Sequence, residues 1–532
     1  MMQRLTSTVL LLACALPCQQ EQGEPQVPAP TYDYDVLILD GTVYSGADEP
    51  PAVTDVGIRG DRIVALGELQ DASSAQRIDA TGLIVCPGFI DLHNHGDKQV
   101  FSKRLRQNTC YLTQGCTLIV TGNCGSGALD VKRFFERLDK QGCGVNVAHL
   151  IPQGTLREKS MGGSFRRPPT DEELDKMRDL AEQGMAAGAF GMSTGLIYTP
   201  GAYADIAEIS EVAMVVAKYG GLYASHIRSE GSGLLKAVAE AIEIGERAGC
   251  AVHLSHFKAS QPPNWGKVAE SCALVEKARA AGRTVTCDQY PYRASSTSLA
   301  ALTIPTWARE GSNKDLIQRF EQPDTGDRIR AAIAKSLEQR GGADQILIAH
   351  FAKNPKWNGM NLKDAAVAAG VDPVALVEQI QRGGGCSAVA FSMCDEDVEF
   401  IMRKPYVATA SDGSSKMAGP TRPHPRSYGT FSRKIGHYAI EKKVVPLLQA
   451  IRSSSGLPAD ILGIADRGYL RTGTYADVVV FDPAKIRDRA TFVDPHQHSA
   501  GVLWVLVNGQ VAVANEKPTG SMSGRVVRRP SK

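Results

Sequence analysis

Short apolar runs broken by Gly and Asp open the region after residue 33. Val36-Leu37-Ile38-Leu39, Gly41-Thr42-Val43-Tyr44, Val56-Gly57-Ile58 and Arg62-Ile63-Val64-Ala65 predict brief strands. The same rhythm returns near the end, at 476–482 and 502–511, with Asn508-Gly509 placed to turn a hairpin. Two β-rich ends around a different middle predict one small β-sandwich assembled from residues 33–84 and 456–532, since domain termini often lie close together.

In the middle, 85–455, apolar runs at 83–92, 117–121, 145–151, 189–193, 222–225, 251–255, 284–287 and 407–410 alternate with helical stretches. One such stretch opens with Thr170 and Glu173 spaced as a capping box, after which Leu174, Met177, Leu180 and Ala181 share a face. Eight strands separated by helices predict an α/β fold, a (β/α)8 TIM-like barrel. A doubly wound open sheet is the alternative, because counting strands does not distinguish a closed sheet from an open one. Between the seventh and eighth strands an insertion of about 297–404, with its own strand-like run at 345–349, predicts a lid or subdomain.

Charge narrows the partners. Against 59 Lys and Arg stand 57 Asp and Glu, without long blocks of either sign, which argues against nucleic acid and for a small-molecule substrate. Oligomeric state is not legible. Arg4, a short apolar run over Val9-Leu10-Leu11-Leu12-Ala13 and then Cys14 and Cys18 predict an export signal over 1–18, with a polar linker at 19–32. Leu11-Leu12-Ala13-Cys14 resembles a lipoprotein cleavage box, which would attach the protein to a membrane through a lipidated Cys14; Cys18 is the second candidate. The expected location is therefore periplasmic or cell-envelope. Twelve cysteines without a CxxC pair read mostly as buried free thiols.

Barrel active sites gather at the C-terminal ends of the strands. His93 and His95 end the first predicted strand, Cys124 the second, His226 the fifth, His256 the sixth and Asp412 the eighth. Zinc accepts thiolate and imidazole, and a catalytic zinc keeps one position open for water, so Cys124, His226 and His256 form a three-ligand set. Such a metal lowers the pKa of water towards about 7 and polarises a carbonyl, both of which an unreactive amide requires. His93 and His95 alternate on an extended strand end and are candidates for a second, weaker metal. Asp412 is placed to act as general base, although a carboxylate there could also be a ligand.

The segments Cys86-Pro-Gly-Phe-Ile-Asp-Leu-His93-Asn-His95, Gly-Asn-Cys124-Gly, Gly195-Leu-Ile-Tyr198-Thr-Pro-Gly201, Ser-His226-Ile-Arg, Ser-His256-Phe-Lys258, Asp-Gln-Tyr290-Pro-Tyr-Arg-Ala-Ser-Ser296-Thr, Ser-Asp412-Gly and His424-Pro-Arg426 carry a resemblance. Over about 35–513 the chain resembles the D-aminoacylase group, the N-acyl-D-amino-acid deacylases of the amidohydrolase superfamily. The resemblance implies a tight zinc on Cys124, His226 and His256, a weak site at His93 and His95, and a catalytic Asp412. It also implies that Tyr198, Lys258, Tyr290, Ser296 and Arg426 line the pocket for an N-acyl amino acid. Gly96 stands where that group commonly has the first of two acids.

Two rivals remain. One is a cyclic-amide hydrolase of the dihydroorotase or hydantoinase kind, or a dipeptidase, on the same barrel; Cys124 and the lack of an obvious carboxylated lysine argue against it. The other is an exported metal-containing binding protein without turnover. His149, His253, His350 and His437 receive no role, and His496 and His498 read as part of a surface loop.

Overall fold

The computed structural model describes residues 32–530, so the expectations at Cys14 and Cys18 lie outside the described residues. Eight parallel strands form the centre: Phe89–Asp91, Cys116–Thr121, Asn146–His149 continued as Ile151–Pro152, Gly191–Gly195, Leu222–His226, Ala251–Leu254, Val285–Gln289 and Val407–Thr409. Helices such as Asp171–Ala186, Ile206–Lys218 and Leu234–Ala248 join them, giving the α/β fold. The expected box closes the first of these helices: the Thr170 hydroxyl accepts from the Glu173 N–H, and the Glu173 carboxylate accepts from the Thr170 N–H.

The ladder runs as two arcs rather than one continuous ring. Leu150 interrupts it at the third strand. At the other seam the last strand meets the first through bonds just beyond the strand ends: the Asp412 N–H donates to His93 O at 2.8 Å and the His95 N–H to Gly413 O at 2.7 Å. Ser411 adds to this, its N–H and hydroxyl donating to the Asp91 carboxylate at 2.8 and 2.6 Å. The seam that unites first and eighth strands is thus made by the residues flanking the candidate site.

Three boundaries differ from the sequence expectation. The single run 83–92 breaks at Gly88 into Ile84–Pro87, which pairs with Val478–Phe481 in the terminal sheet, and Phe89–Asp91, which starts the barrel. A side chain at Gly88 would come within 2.1 Å of the Thr117 hydroxyl, so the crossing from one sheet to the other needs glycine there. At the other end the helix Gly456–Leu462 packs Ala459 and Leu462 against Ile90 and Leu118, and so belongs to the barrel core. The terminal strands form one nine-stranded hydrogen-bonded sheet rather than two separate layers. It curls about a shared core, because Ile38, Ile63, Val480 and Leu506 from distant strands meet in one apolar cluster.

The insertion is a unit with its own core. Strands Ala294–Ser298, Ile346–His350 and Ser387–Phe391 make a three-stranded antiparallel sheet, backed by helices that include Asn313–Glu321 and Pro323–Gln339. Leu316, Phe320, Ile333, Ile348 and Leu376 are buried together behind it. Its first strand starts before the expected 297, so Ser296 belongs to the insertion.

Candidate metal centre

Cys124, His226 and His256 converge at the mouth of the barrel. The Cys124 sulfur lies 3.6 Å from His226 Nδ1 and 3.7 Å from His256 Nε2, and those two nitrogens are 2.8 Å apart. His93 Nε2 approaches the same sulfur at 3.2 Å, so Cys124 belongs to one donor set with His226 and His256 and to another with His93 and His95. Two of these side chains, and Asp412 beside them, leave the backbone in the left-handed region: Cys124 at φ 52°, His256 at 37° and Asp412 at 50°. A non-glycine residue held there costs about 1–3 kcal/mol, and such strain concentrates where geometry serves a site. Gly122 and Gly125 flank Cys124 because the loop is tight: a side chain at Gly122 would meet Leu150 O at 2.0 Å.

The donor set fits a thiophilic divalent cation such as zinc. Burial pushes the Cys124 thiol well up, Asp412 and Asp288 push the same way, and only Lys258 opposes them, so a thiolate here requires a cation beside it. Burial and then His256 hold His226 well below the usual imidazole range, in the neutral form that ligates. Thiolate and imidazole are the ligand types of a catalytic zinc.

Behind the ligands stand two acids that the sequence reading passed over. Asp288 accepts the His256 backbone N–H at 2.7 Å and the His253 Nε2 at 2.8 Å, and lies 3.5 Å from His93 Nδ1. Burial opposes its charge, but His93 and His253 hold it well below the usual carboxylate range. Glu230 accepts from Lys258 Nζ at 2.5 Å and sits 2.9 Å from His256 Nδ1; burial is again outweighed, here by Lys258, His256 and His226. Ring nitrogens turned away from a metal are commonly oriented in this way. His253, left without a role, thus supports Asp288. His149 bonds Thr121 Oγ1 and Ala128 O, and His437 pairs with Glu441 away from the site. His496, partly buried in its loop, bonds the Tyr428 hydroxyl and Thr421 O.

Asp412 faces both donor sets. Its Oδ1 lies 3.0 Å from His95 Nε2 and 3.5 Å from His93 Nε2, and its Oδ2 pairs with Arg426 Nη1 at 2.8 Å. Burial would raise its pKa, yet Arg426, His93 and His256 keep it well below the ordinary value, so it is ionised. Arg426 is buried, lies 4.8 Å over the Tyr290 ring and donates to Ser296 O at 3.1 Å. Lys258, also buried, is bound to Glu230 and donates to His256 O. Both cations expected to line the pocket therefore already face acids, Lys258 facing Glu230 and Arg426 facing Asp412. Tyr198 sets its ring edge-on to His226, 5.1 Å between centroids, and bonds Thr297 across the gap to the insertion at 2.9 Å. The Tyr290 hydroxyl is buried without a partner.

Two clefts meet at the donors. One, of about 230 Å³, is lined by His226, His256, Glu230, Lys258, Tyr290 and Arg340. The other, of about 450 Å³, runs past His95, Cys124, Gly125, Gly195 and Pro200. Tyr198, Ser296, Thr297 and Asp412 line both, forming a waist at which a substrate bond can be placed between two differently shaped halves.

The sequence pattern of a family described as the amidohydrolase family matches residues 76–513. The chain is 36% identical over 519 residues to a D-aminoacylase of Alcaligenes xylosoxydans xylosoxydans, covering 93% of this chain and 98% of that protein. It is 37% identical over 518 residues to an N-acyl-D-glutamate deacylase of the same organism, covering 93% and 96%. A solved N-acyl-D-glutamate deacylase of Bordetella bronchiseptica, complexed with zinc and a phosphonate inhibitor described as mimicking the tetrahedral intermediate, superposes with a TM-score of 0.79 at 34% identity, covering 93% of this chain and 99% of that one. A D-aminoacylase structure concerned with a binuclear metal centre superposes with a TM-score of 0.80 at 34% identity, covering 93% and 100%.

Proposed function

The chain belongs to the amidohydrolase family, in its D-aminoacylase branch, and from that premise we propose that it hydrolyses N-acyl-D-amino acids to a carboxylate and a D-amino acid. The observation that carries this reading is the convergence of Cys124, His226 and His256 beside an ionised Asp412. Cys124, His226 and His256 would hold zinc, with His93 and His95 at a weaker second position, and the metal would supply carbonyl polarisation and a water of lowered pKa.

The remaining roles follow from the side chains. Asp412 Oδ1 accepts the proton released as water attacks the scissile carbonyl, and returns it to the leaving nitrogen, for which an amide has no other outlet. Arg426, paired to Oδ2, fixes which carboxylate oxygen points at the reaction. Glu230 and Asp288 hold the imidazoles in one orientation. The Tyr290 hydroxyl, without a partner of its own, donates to the α-carboxylate beside Lys258, and Tyr198 and Ser296 close the waist around the amide. The acyl group then points into the larger cleft and the amino acid into the smaller.

The test is turnover of N-acetyl-D- and N-acetyl-L-amino acids by the purified protein, with metal content measured on the same sample and a hydantoin assayed beside them. Cleavage of the D-series is expected. Hydrolysis of the hydantoin alone would replace this reading with the cyclic-amide one. We further propose that the protein is exported to the cell envelope and held there by lipid on Cys14. Fractionation of cells producing the full chain should find it with membranes, and Cys14→Ser should release it.

A further inference from the structure

The smaller cleft carries an unanswered charge. Of the charged residues that line it, Lys258 is bound to Glu230 at 2.5 Å, Arg228 to Glu240 at 2.7 Å and Asp412 to Arg426 at 2.8 Å. Arg340 is the exception. Its Nε and Nη2 both donate to one backbone oxygen, Leu302 O, at 3.3 and 3.1 Å, and no carboxylate among the described residues pairs with it. The acid whose field reaches it, Glu230, is already shared between Lys258 and His256. Burial lowers its pKa, but only to about 10, so the guanidinium is charged at neutral pH. Arg340 is half-buried; a cation withdrawn from water without a counter-ion is costly, and a planar guanidinium with unused donors is shaped for a carboxylate.

Arg340 follows the helix Pro323–Gln339 of the insertion, whereas Lys258 comes from the barrel and touches a ligand, its Nζ lying 2.8 Å from His256 Nδ1. The α-carboxylate is one carbon from the scissile nitrogen and must lie beside the ligands, where Lys258 and Tyr290 stand. Arg340 bonds none of the ligand residues, and its place on the insertion side of the same cleft suits a second anionic group further out along the substrate.

Building on the reading above, we propose that Arg340 receives the side-chain carboxylate of the substrate, which makes N-acyl derivatives of acidic D-amino acids the preferred class. The two relatives compared above bear names for different substrates at nearly equal identity, so overall similarity does not choose between them.

The experiment measures kcat/KM of the zinc-loaded protein on N-acetyl-D-glutamate, N-acetyl-D-aspartate, the near-isosteric N-acetyl-D-glutamine and N-acetyl-D-leucine. A charge-assisted pair in a partly buried site predicts a preference of about 10²-fold for glutamate or aspartate over glutamine. Arg340→Gln should bring that ratio to about 1, mainly through KM, and Arg340→Lys should restore part of it. The inference is overturned if the wild-type protein cleaves the glutamine or leucine derivative as well as the acidic ones, or if Arg340→Gln leaves the ratio unchanged. The wild-type ratio decides even where the variant does not fold. Turnover of neutral substrates without acidic preference would sink this inference alone; absence of turnover on every N-acyl-D-amino acid would sink the proposed function with it.

Discussion

The cavity has two walls of different construction. On the barrel side Cys124, His256 and Asp412 are locked by left-handed backbone, and the His256 ring, His93 and Asp412 each meet a second buried partner in Glu230, Asp288 or Arg426. On the insertion side Thr297 meets the site through a single hydroxyl contact with Tyr198, and Arg340 is held only by a carbonyl of the insertion itself, Leu302 O, in a unit that rests on its own core. The difference teaches a division of labour: the barrel holds groups whose displacement by an ångström would disable the chemistry, while the insertion presents groups that choose what enters. Changes to one wall should appear in kcat and metal affinity, and changes to the other in KM and substrate ratios.

The largest effect should come from Asp412→Asn, which keeps the shape and removes the base. Loss of a positioned acid–base group predicts a fall in kcat of about 10²–10⁴-fold with metal content retained. A variant with near-normal kcat would erase the distinction between the walls. Next come Glu230→Gln and Asp288→Asn. Each should weaken metal affinity or activity by about 10–100-fold, read by competition with a chelator, because each releases an imidazole from its orienting partner. On the insertion wall Thr297→Val deletes the hydrogen bond to Tyr198, worth about 0.5–1.5 kcal/mol, and should raise KM by about 2–12-fold while sparing kcat. A kcat loss as deep as that of Asp412→Asn would put the insertion into the chemistry after all.

The smallest effect on turnover should follow a change outside both walls. In the terminal sheet the buried Arg467 pairs with Asp477 and bonds Asn508 at 2.8 Å. Arg467→Met leaves Asp477 charged and unpaired, which predicts a loss of about 3–5 kcal/mol of stability in chemical denaturation with kcat unchanged at 25 °C.

How much of this was legible in the chain depended on the kind of signal. Strand-end position singled out Cys124, His226, His256 and Asp412, and the structure brings those four together. The same rule, applied to the residue after Cys287, would have marked Asp288, the penultimate residue of the strand Val285–Gln289. Glu230 follows His226 by four residues in a loop, where carboxylates are common and spacing carries little meaning; only folding shows that it reaches back to His256. The break at Gly88 was hidden because both flanks are apolar, and what divides them is the approach of Thr117 from another strand. Arg340 lay in an insertion whose reach over the site no local pattern encodes.

X-ray absorption at the zinc edge of the purified, metal-loaded protein tests the centre most directly. The account predicts one sulfur scatterer at about 2.3 Å with nitrogen or oxygen at about 2.0–2.1 Å, the sulfur disappearing in Cys124→Ser. A first shell of nitrogen and oxygen alone in the wild-type protein would contradict it.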